Sequence, residues 1–197
     1  MTDLAIIDSG GANLASLQFA VERLGVSAEI TTDPDRLQRA SHVILPGVGA
    51  AADCMTRLRS AALIEPIHAL KQPLLGVCVG MQLLFESSEE GDVPCLGLLP
   101  GRVRRFANRA DLPVPHMGWN QLELRRDSPL LNAVAAGDYL YFVHSYAAPV
   151  SDLTVAATSY GERFSAIVQR GNVYGMQFHP ERSARVGAQL LRNFLQL

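Results

Sequence analysis

Cys78 sits at the centre of Gly76-Val77-Cys78-Val79-Gly80, and this pentapeptide constrains the chain more than any other stretch. The apolar run Pro73-Leu74-Leu75 leads into it, and Met81-Gln82-Leu83-Leu84-Phe85 follows with a helical pattern. A strand, a sharp turn carrying a thiol and then a helix make the cysteine form of a nucleophile elbow. Such a turn holds its central residue at strained dihedrals, and the flanking glycines let strand and helix pass without Cβ clashes. The thiol then projects beyond the carboxyl end of the strand, where backbone N–H groups and the positive helix end favour the thiolate. A lone cysteine is ordinarily a small buried hydrophobe. Here the two glycines and the strand-to-helix switch favour a nucleophile, without naming its substrate.

Further strands and helices alternate around the elbow. Leu4-Ala5-Ile6-Ile7 is a short apolar run ending in Asp8-Ser9-Gly10-Gly11, and Leu14, Leu17, Val21 and Leu24 follow at helical spacing up to Gly25. The Gly-rich turn lacks both the G-x-G-x-x-G and the Walker spacing, so no nucleotide is expected there. Ala28-Glu29-Ile30 is a weak strand, and Asp33 caps a short helix opening at Pro34. His42-Val43-Ile44-Leu45 is a third strand ending in Pro46-Gly47-Val48-Gly49, followed by helical sequence to Leu70 with a break expected near Pro66. This alternation predicts an α/β fold with a mostly parallel central sheet covered by helices on both faces. Ligands of such sheets gather at the carboxyl ends of the strands, where Cys78 and the Pro46–Gly49 loop both fall.

After Glu90 the pattern becomes antiparallel. Gly101–Phe106, Gln121–Leu124, Tyr139–Tyr146, Leu153–Ser159, Ser165–Gln169 and Val173–Phe178 read as strands, the last two joined by a hairpin through Gly171-Asn172. Ser128-Pro129 opens a short helix, and Ala184–Leu197 reads as a helix with Val186, Leu190, Phe194 and Leu197 on one face. No linker or repeat divides the chain, so residues 1–197 are expected to form one domain. The 48% apolar content supports a sizeable core, and the dispersed charge, net −2, predicts no nucleic-acid grip. Three scattered cysteines suggest reduced thiols in a cytoplasmic setting, and they do not pair with histidines at zinc spacing; neither metal nor cofactor is expected. The acidic start with Asp3 and Asp8 is not a signal-peptide pattern, and no apolar run reaches the ~20 residues of a membrane span.

A cysteine nucleophile needs a base and a group that orients it. His42 and His68 fall inside a strand and a helix, whereas His179 follows a strand and precedes Pro180 and Glu181. Proline sets the local backbone so that His179 and Glu181 can point to one side, where the carboxylate could fix the imidazole tautomer. Alone, these residues could equally be a surface loop. The N–H of Val79 and the loop containing Val48 and Gly49 are candidate oxyanion donors, though such a loop can also be a plain turn.

Five motifs in order now bear on the family. They are Pro46-Gly47-Val48-Gly49, Gly76–Leu84, His116-Met117-Gly118-Trp119-Asn120, Tyr141–Tyr146 and Gln177-Phe178-His179-Pro180-Glu181. Together with Asp8 and Asn13 they resemble the class I (triad) glutamine amidotransferases and, within them, the glutaminase subunits of imidazole glycerol phosphate synthases. That resemblance implies a flavodoxin-like sheet and a Cys78–His179–Glu181 triad hydrolysing L-glutamine through a thioester. It implies glutamine contacts from Gln82, Glu90 and the backbone of His144, Ser145 and Tyr146. It also implies a heterodimer with a (β/α)8-barrel cyclase that takes up the ammonia, with Trp119, Asn120, Tyr141 and Arg182 on the partner surface or ammonia exit. Arg182 stands where many relatives carry Lys, and the two cations differ in geometry.

Val48 departs from the Gly-Gly found after the proline in many relatives. A β-branched residue resists positive φ, so turning the Val48 N–H toward the thiol is expected to cost about 1–3 kcal/mol. The site is therefore expected to be incomplete until a partner binds. The competing readings are the glutaminase of another amidotransferase, such as the pyridoxal phosphate synthase type, and a non-catalytic scaffold. The His116–Asn120 and Tyr141–Tyr146 motifs argue against the first, and the intact Cys78, His179 and Glu181 against the second.

Overall fold

The computed structural model describes residues 3–10 and 14–197, so the expectations at Gly11 and Asn13 lie outside the described residues. The uninterrupted apolar runs become the interior of an eight-stranded sheet. Its order is Ala28–Thr31, Leu4–Ile7, His42–Gly47, Leu74–Cys78, Val173–Met176, Glu162–Arg170, Thr154–Tyr160 and Glu123–Leu124. The first five strands are parallel, and the last three add on antiparallel. Every residue of Leu4–Ile7, His42–Gly47 and Leu74–Cys78 is buried, because helices and loops cover both faces of this part of the sheet. This is the expected α/β architecture with an antiparallel extension.

Two smaller sheets complete the second half. His116–Gln121 pairs antiparallel with Tyr139–His144, and a four-stranded sheet runs Tyr146–Ala147, Leu99–Arg105, Phe85–Ser88, Val93–Pro94. Side chains alternate across the two-stranded pair. His116, Leu140, Phe142 and His144 are buried on its inner face, while Met117 (63% exposed), Trp119 (52%) and Tyr139 (53%) stand on the outer one.

The structure departs from the expected boundaries at several places, among them Tyr139–Tyr146, which divides into Tyr139–His144 and Tyr146–Ala147 in two different sheets. The elbow helix is Val79–Leu83, not a helix running to Phe85. The carbonyls of Leu83 and Leu84 accept from Leu96 and Leu99, so Phe85 enters a strand instead of another helical turn. The break after Ala51–Ser60 comes at Ala61–Leu63, where Ala62 has φ 53°, and Pro66 lies inside Ile64–His68. Pro66 is third in that helix, where an N–H has no intrahelical partner to lose. Gln121–Leu124 divides at Leu122, with Gln121 in the two-stranded pair and Glu123-Leu124 at the edge of the large sheet. The terminal helix is Ala184–Phe194 and buries Leu190 and Phe194.

Candidate active site

The elbow forms where Leu74–Cys78 ends and Val79–Leu83 begins. Cys78 lies at φ 55°, ψ −115°, a conformation that costs a non-glycine residue about 1–3 kcal/mol. Close backbone packing holds it there. A Cβ on Gly80 would sit 1.9 Å from the Leu45 carbonyl oxygen, and one on Gly76 would sit 2.6 Å from that of Gly80. Strand and helix therefore pass at a distance only glycine permits. The Cys78 Sγ is buried, 3.9 Å from the Val143 carbonyl oxygen and 4.0 Å from Gln177 Nε2.

His179 meets this thiol from the next parallel strand. Its Nδ1 is 2.9 Å from Glu181 Oε1, and Pro180 opens the single turn between them. Three bonds tie the segment down: His179 N–H to the Tyr141 carbonyl (3.0 Å), Tyr141 N–H to Ser183 Oγ (3.0 Å), and Ser183 Oγ–H to the His179 carbonyl (2.7 Å). Burial disfavours the charged ring, but hydrogen bonds with Cys78 and Glu181, and their charges, outweigh it and push His179 up to about 10. Against a value of 6.5 in the unfolded chain, this makes the proton stabilising. That contribution is complete below about pH 6.5 and disappears as pH rises to about 10. The melting-temperature gap between the unmodified chain and His179→Gln should narrow between about pH 6 and about pH 10. A constant gap would contradict a folded-state proton on this ring.

The Pro46–Gly49 loop packs onto the elbow from the neighbouring strand, with Gly47 in register with Cys78. A Cβ on Gly47 would meet the Gly80 nitrogen at 2.5 Å, and Ser9 Oγ–H anchors the loop by donating to the Pro46 carbonyl at 2.7 Å. The turn falls at Gly49, φ 94°, while Val48 keeps a φ outside the left-handed region. The Val48 carbonyl lies 3.7 Å from the Cys54 thiol.

A cavity of about 320 Å³ opens beside Cys78 and His179. Its lining includes Val48, Gly49, Val79, Gln82, Glu90, His144, Ser145 and Tyr146. Gln82 Nε2 donates to the Tyr146 carbonyl (2.8 Å) and to Gln177 Oε1 (3.1 Å), leaving its buried Oε1 without a partner among the described residues. Glu90 Oε2 accepts from the Ala51 N–H at 2.8 Å. Burial raises the Glu90 pKa, opposed by that bond. A larger cavity of about 710 Å³ along residues 124–134 holds neither cysteine nor histidine.

Trp119, Tyr141 and Arg182 form one array on the outer surface. The Trp119 and Tyr141 rings are 5.9 Å apart, and the Arg182 guanidinium lies 5.0 Å over the Tyr141 ring. Asn120 does not join them. Adjacent strand residues point to opposite faces, and its Nδ2 instead donates inward to the Ser159 carbonyl at 2.9 Å. Two residues beside Cys78 and His179, Gln177 and Ser183, have no role that their sequence context announces outright. Gln177 carries a partial signal, since it stands two residues before His179 in extended chain and shares its side. Ser183 carries none. Among the described residues, no group of three or more His, Cys, Asp or Glu is arranged to hold a metal, and no helix is long and apolar enough to cross a membrane.

The family profile described as glutamine amidotransferase class-I matches residues 5–197. The chain is 59% identical over 197 residues to the imidazole glycerol phosphate synthase subunit HisH of Xanthomonas campestris pv. campestris, covering 100% of this chain and 98% of that one. It is 57% identical, with the same coverage, to the protein of the same name from Xylella fastidiosa. Among solved structures, PurLQS from Thermotoga maritima superposes with a TM-score of 0.74 at 22% identity, covering 100% of this chain and 99% of that one. A crystal structure described as a glutamine amidotransferase gives 0.74 at 20% identity, covering 98% and 97%. These two similarities concern the fold.

Proposed function

The chain belongs to the class-I glutamine amidotransferases, and on that basis we propose that it is the glutaminase subunit of an imidazole glycerol phosphate synthase, acting in histidine biosynthesis. The observation that carries the reading is the convergence of Cys78, the His179–Glu181 pair and the polar walls of Gln82, Glu90 and Tyr146 on one cavity. Glutamine carries two charged ends beside its amide, and selecting it requires polar partners such as the Glu90 carboxylate for its α-ammonium. Cys78 attacks the side-chain amide carbon, and the amide oxygen becomes an oxyanion facing the Val79 N–H. His179, held protonated by its partners, gives its proton to the departing ammonia. The remaining glutamyl thioester is cleaved by water, whose proton His179 takes. The balance is glutamine plus water to glutamate plus ammonia.

The ammonia passes to a (β/α)8-barrel cyclase, which uses it to make imidazole glycerol phosphate and aminoimidazole carboxamide ribotide in the cytoplasm. The exposed outer face bearing Met117, Trp119, Tyr139 and Tyr141, with Arg182 beside it, supports docking of that partner. Large aromatics and arginine are the residue types enriched at interface centres. Asn120 buttresses this surface from behind. The test is to mix the chain with a barrel cyclase and assay the ring-forming step with glutamine as the nitrogen source. The expected result is a co-eluting heterodimer and glutamine-dependent product. A cyclase that neither binds the chain nor gains glutamine-dependent activity would end the proposal.

A further inference from the structure

We infer that His116 and His144 are positioning residues for glutamine: a one-way chain of hydrogen bonds from Asn120 through both rings holds the Tyr146 carbonyl, on which the Gln82 amide rests. The inference rests on the glutaminase reading above. At one end, Asn120 Oδ1 accepts from the Gln121 N–H at 2.8 Å, which turns its amide nitrogen toward His116 Nε2 at 3.3 Å. His116 Nδ1 lies 3.2 Å from His144 Nε2, and His144 Nδ1 lies 2.8 Å from the Tyr146 carbonyl. An amide nitrogen only donates and a carbonyl only accepts, so both ends of the chain are directed. One proton arrangement satisfies every link: His116 and His144 both carry hydrogen on Nδ1 and present a lone pair on Nε2. A further proton on either ring would set two donors face to face.

The packing supports this assignment. His116 is stacked on Tyr160 (centroids 4.1 Å) and Phe142 (5.0 Å), and His144 meets Phe164 at 5.0 Å and Phe106 at 5.3 Å. Rings so held cannot exchange their nitrogens by turning over without displacing these neighbours. Burial pushes His116 down to about 4 and His144, which also lies near the charge of His179, to about 3. Both rings are therefore neutral where the enzyme works, and neither serves as an acid or base.

The chain ends at the substrate cavity. The Tyr146 carbonyl accepts from both His144 Nδ1 and Gln82 Nε2, and Gln82 also donates to Gln177, whose own amide nitrogen lies 4.0 Å from the Cys78 sulfur. With its donors so committed, Gln82 offers its one unpartnered buried atom, Oε1, as an acceptor for an N–H of the bound amino acid. Loosening the histidine chain loosens the carbonyl that sets this orientation.

Two measurements test the inference. Nitrogen NMR of histidine-labelled chain should show His116 and His144 both as Nδ1–H tautomers, without titration from about pH 5.5 to about pH 8. An Nε2–H tautomer or a titrating ring at either position overturns the proposal, independently of any variant's folding. In the complex with the cyclase, His116→Phe keeps the stack and removes both nitrogens. It should raise the glutamine KM about five- to tenfold with kcat changed less than about twofold. His116→Asn, which retains a donor near the Nδ1 position, should recover most of that loss. An active His116→Phe complex with an unchanged KM sinks the positioning role alone. If the unmodified complex releases no ammonia from glutamine, the glutaminase reading fails and the role falls with it.

Discussion

Cys78→Ser should lower glutamine hydrolysis by at least about 10⁴-fold while the protein remains folded. A hydroxyl fills the same space and leaves the backbone at φ 55° undisturbed, but it cannot form the thioester. The thiol should also be the selective target of a glutamine-analogue diazoketone, with labelling blocked by glutamine. Selectivity has a physical basis in the other two thiols. Burial raises the pKa of Cys54 and pushes Cys95 up to about 11, keeping both in the unreactive thiol form. Labelling confined to Cys54 or Cys95, or a serine variant with more than about 1% of the activity, would remove Cys78 as the nucleophile.

The second large effect concerns the loop over the thiol. Val48 rests without positive φ, with its carbonyl facing Cys54, so the free chain is proposed to lack one oxyanion donor. Losing such a donor typically costs 10²–10³-fold, so binding the cyclase with its acceptor ribotide should raise glutaminase turnover by about that factor. Val48→Gly removes the β-branched side chain that opposes the turn. Relief of about 1–3 kcal/mol should raise the free chain's rate by roughly five- to 150-fold and shrink the activation by partner in proportion. Equal rates in the free chain and the activated complex would refute gating; a Val48→Gly chain no faster than its parent would show that the side chain is not the brake.

Much of the fold could be read from residues because its strands are buried on both faces. Leu4–Ile7, His42–Gly47 and Leu74–Cys78 are continuous apolar runs, and such runs leave little choice of element. Boundaries set by distant partners were less accessible. The elbow helix stops at Leu83, where the carbonyls of Leu83 and Leu84 accept from the distant Leu96 and Leu99. Asn120 groups with Trp119 by motif, yet the strand alternates and sends it to the opposite face. His116 and His144 sit in recognisable motifs, but their joint role depends on a cross-strand register that brings residues 28 apart into contact.

Residue order alone was enough for the elbow, for the alternation of strands and helices in the first half, and for singling out Cys78, His179 and Glu181, which the fold brings together. Each follows from local demands: glycine where backbones pass within van der Waals contact, apolar runs where both faces are covered, and a proline between imidazole and carboxylate. The folded chain was needed to show that Gln82 and Gln177, 95 residues apart, share one hydrogen bond beneath the thiol. It was needed equally for the Val48 carbonyl turned to Cys54 and for the two buried histidines behind the cavity wall. Such bonds depend on the register and spacing of strands brought together by the whole core, and no local pattern of residues encodes them.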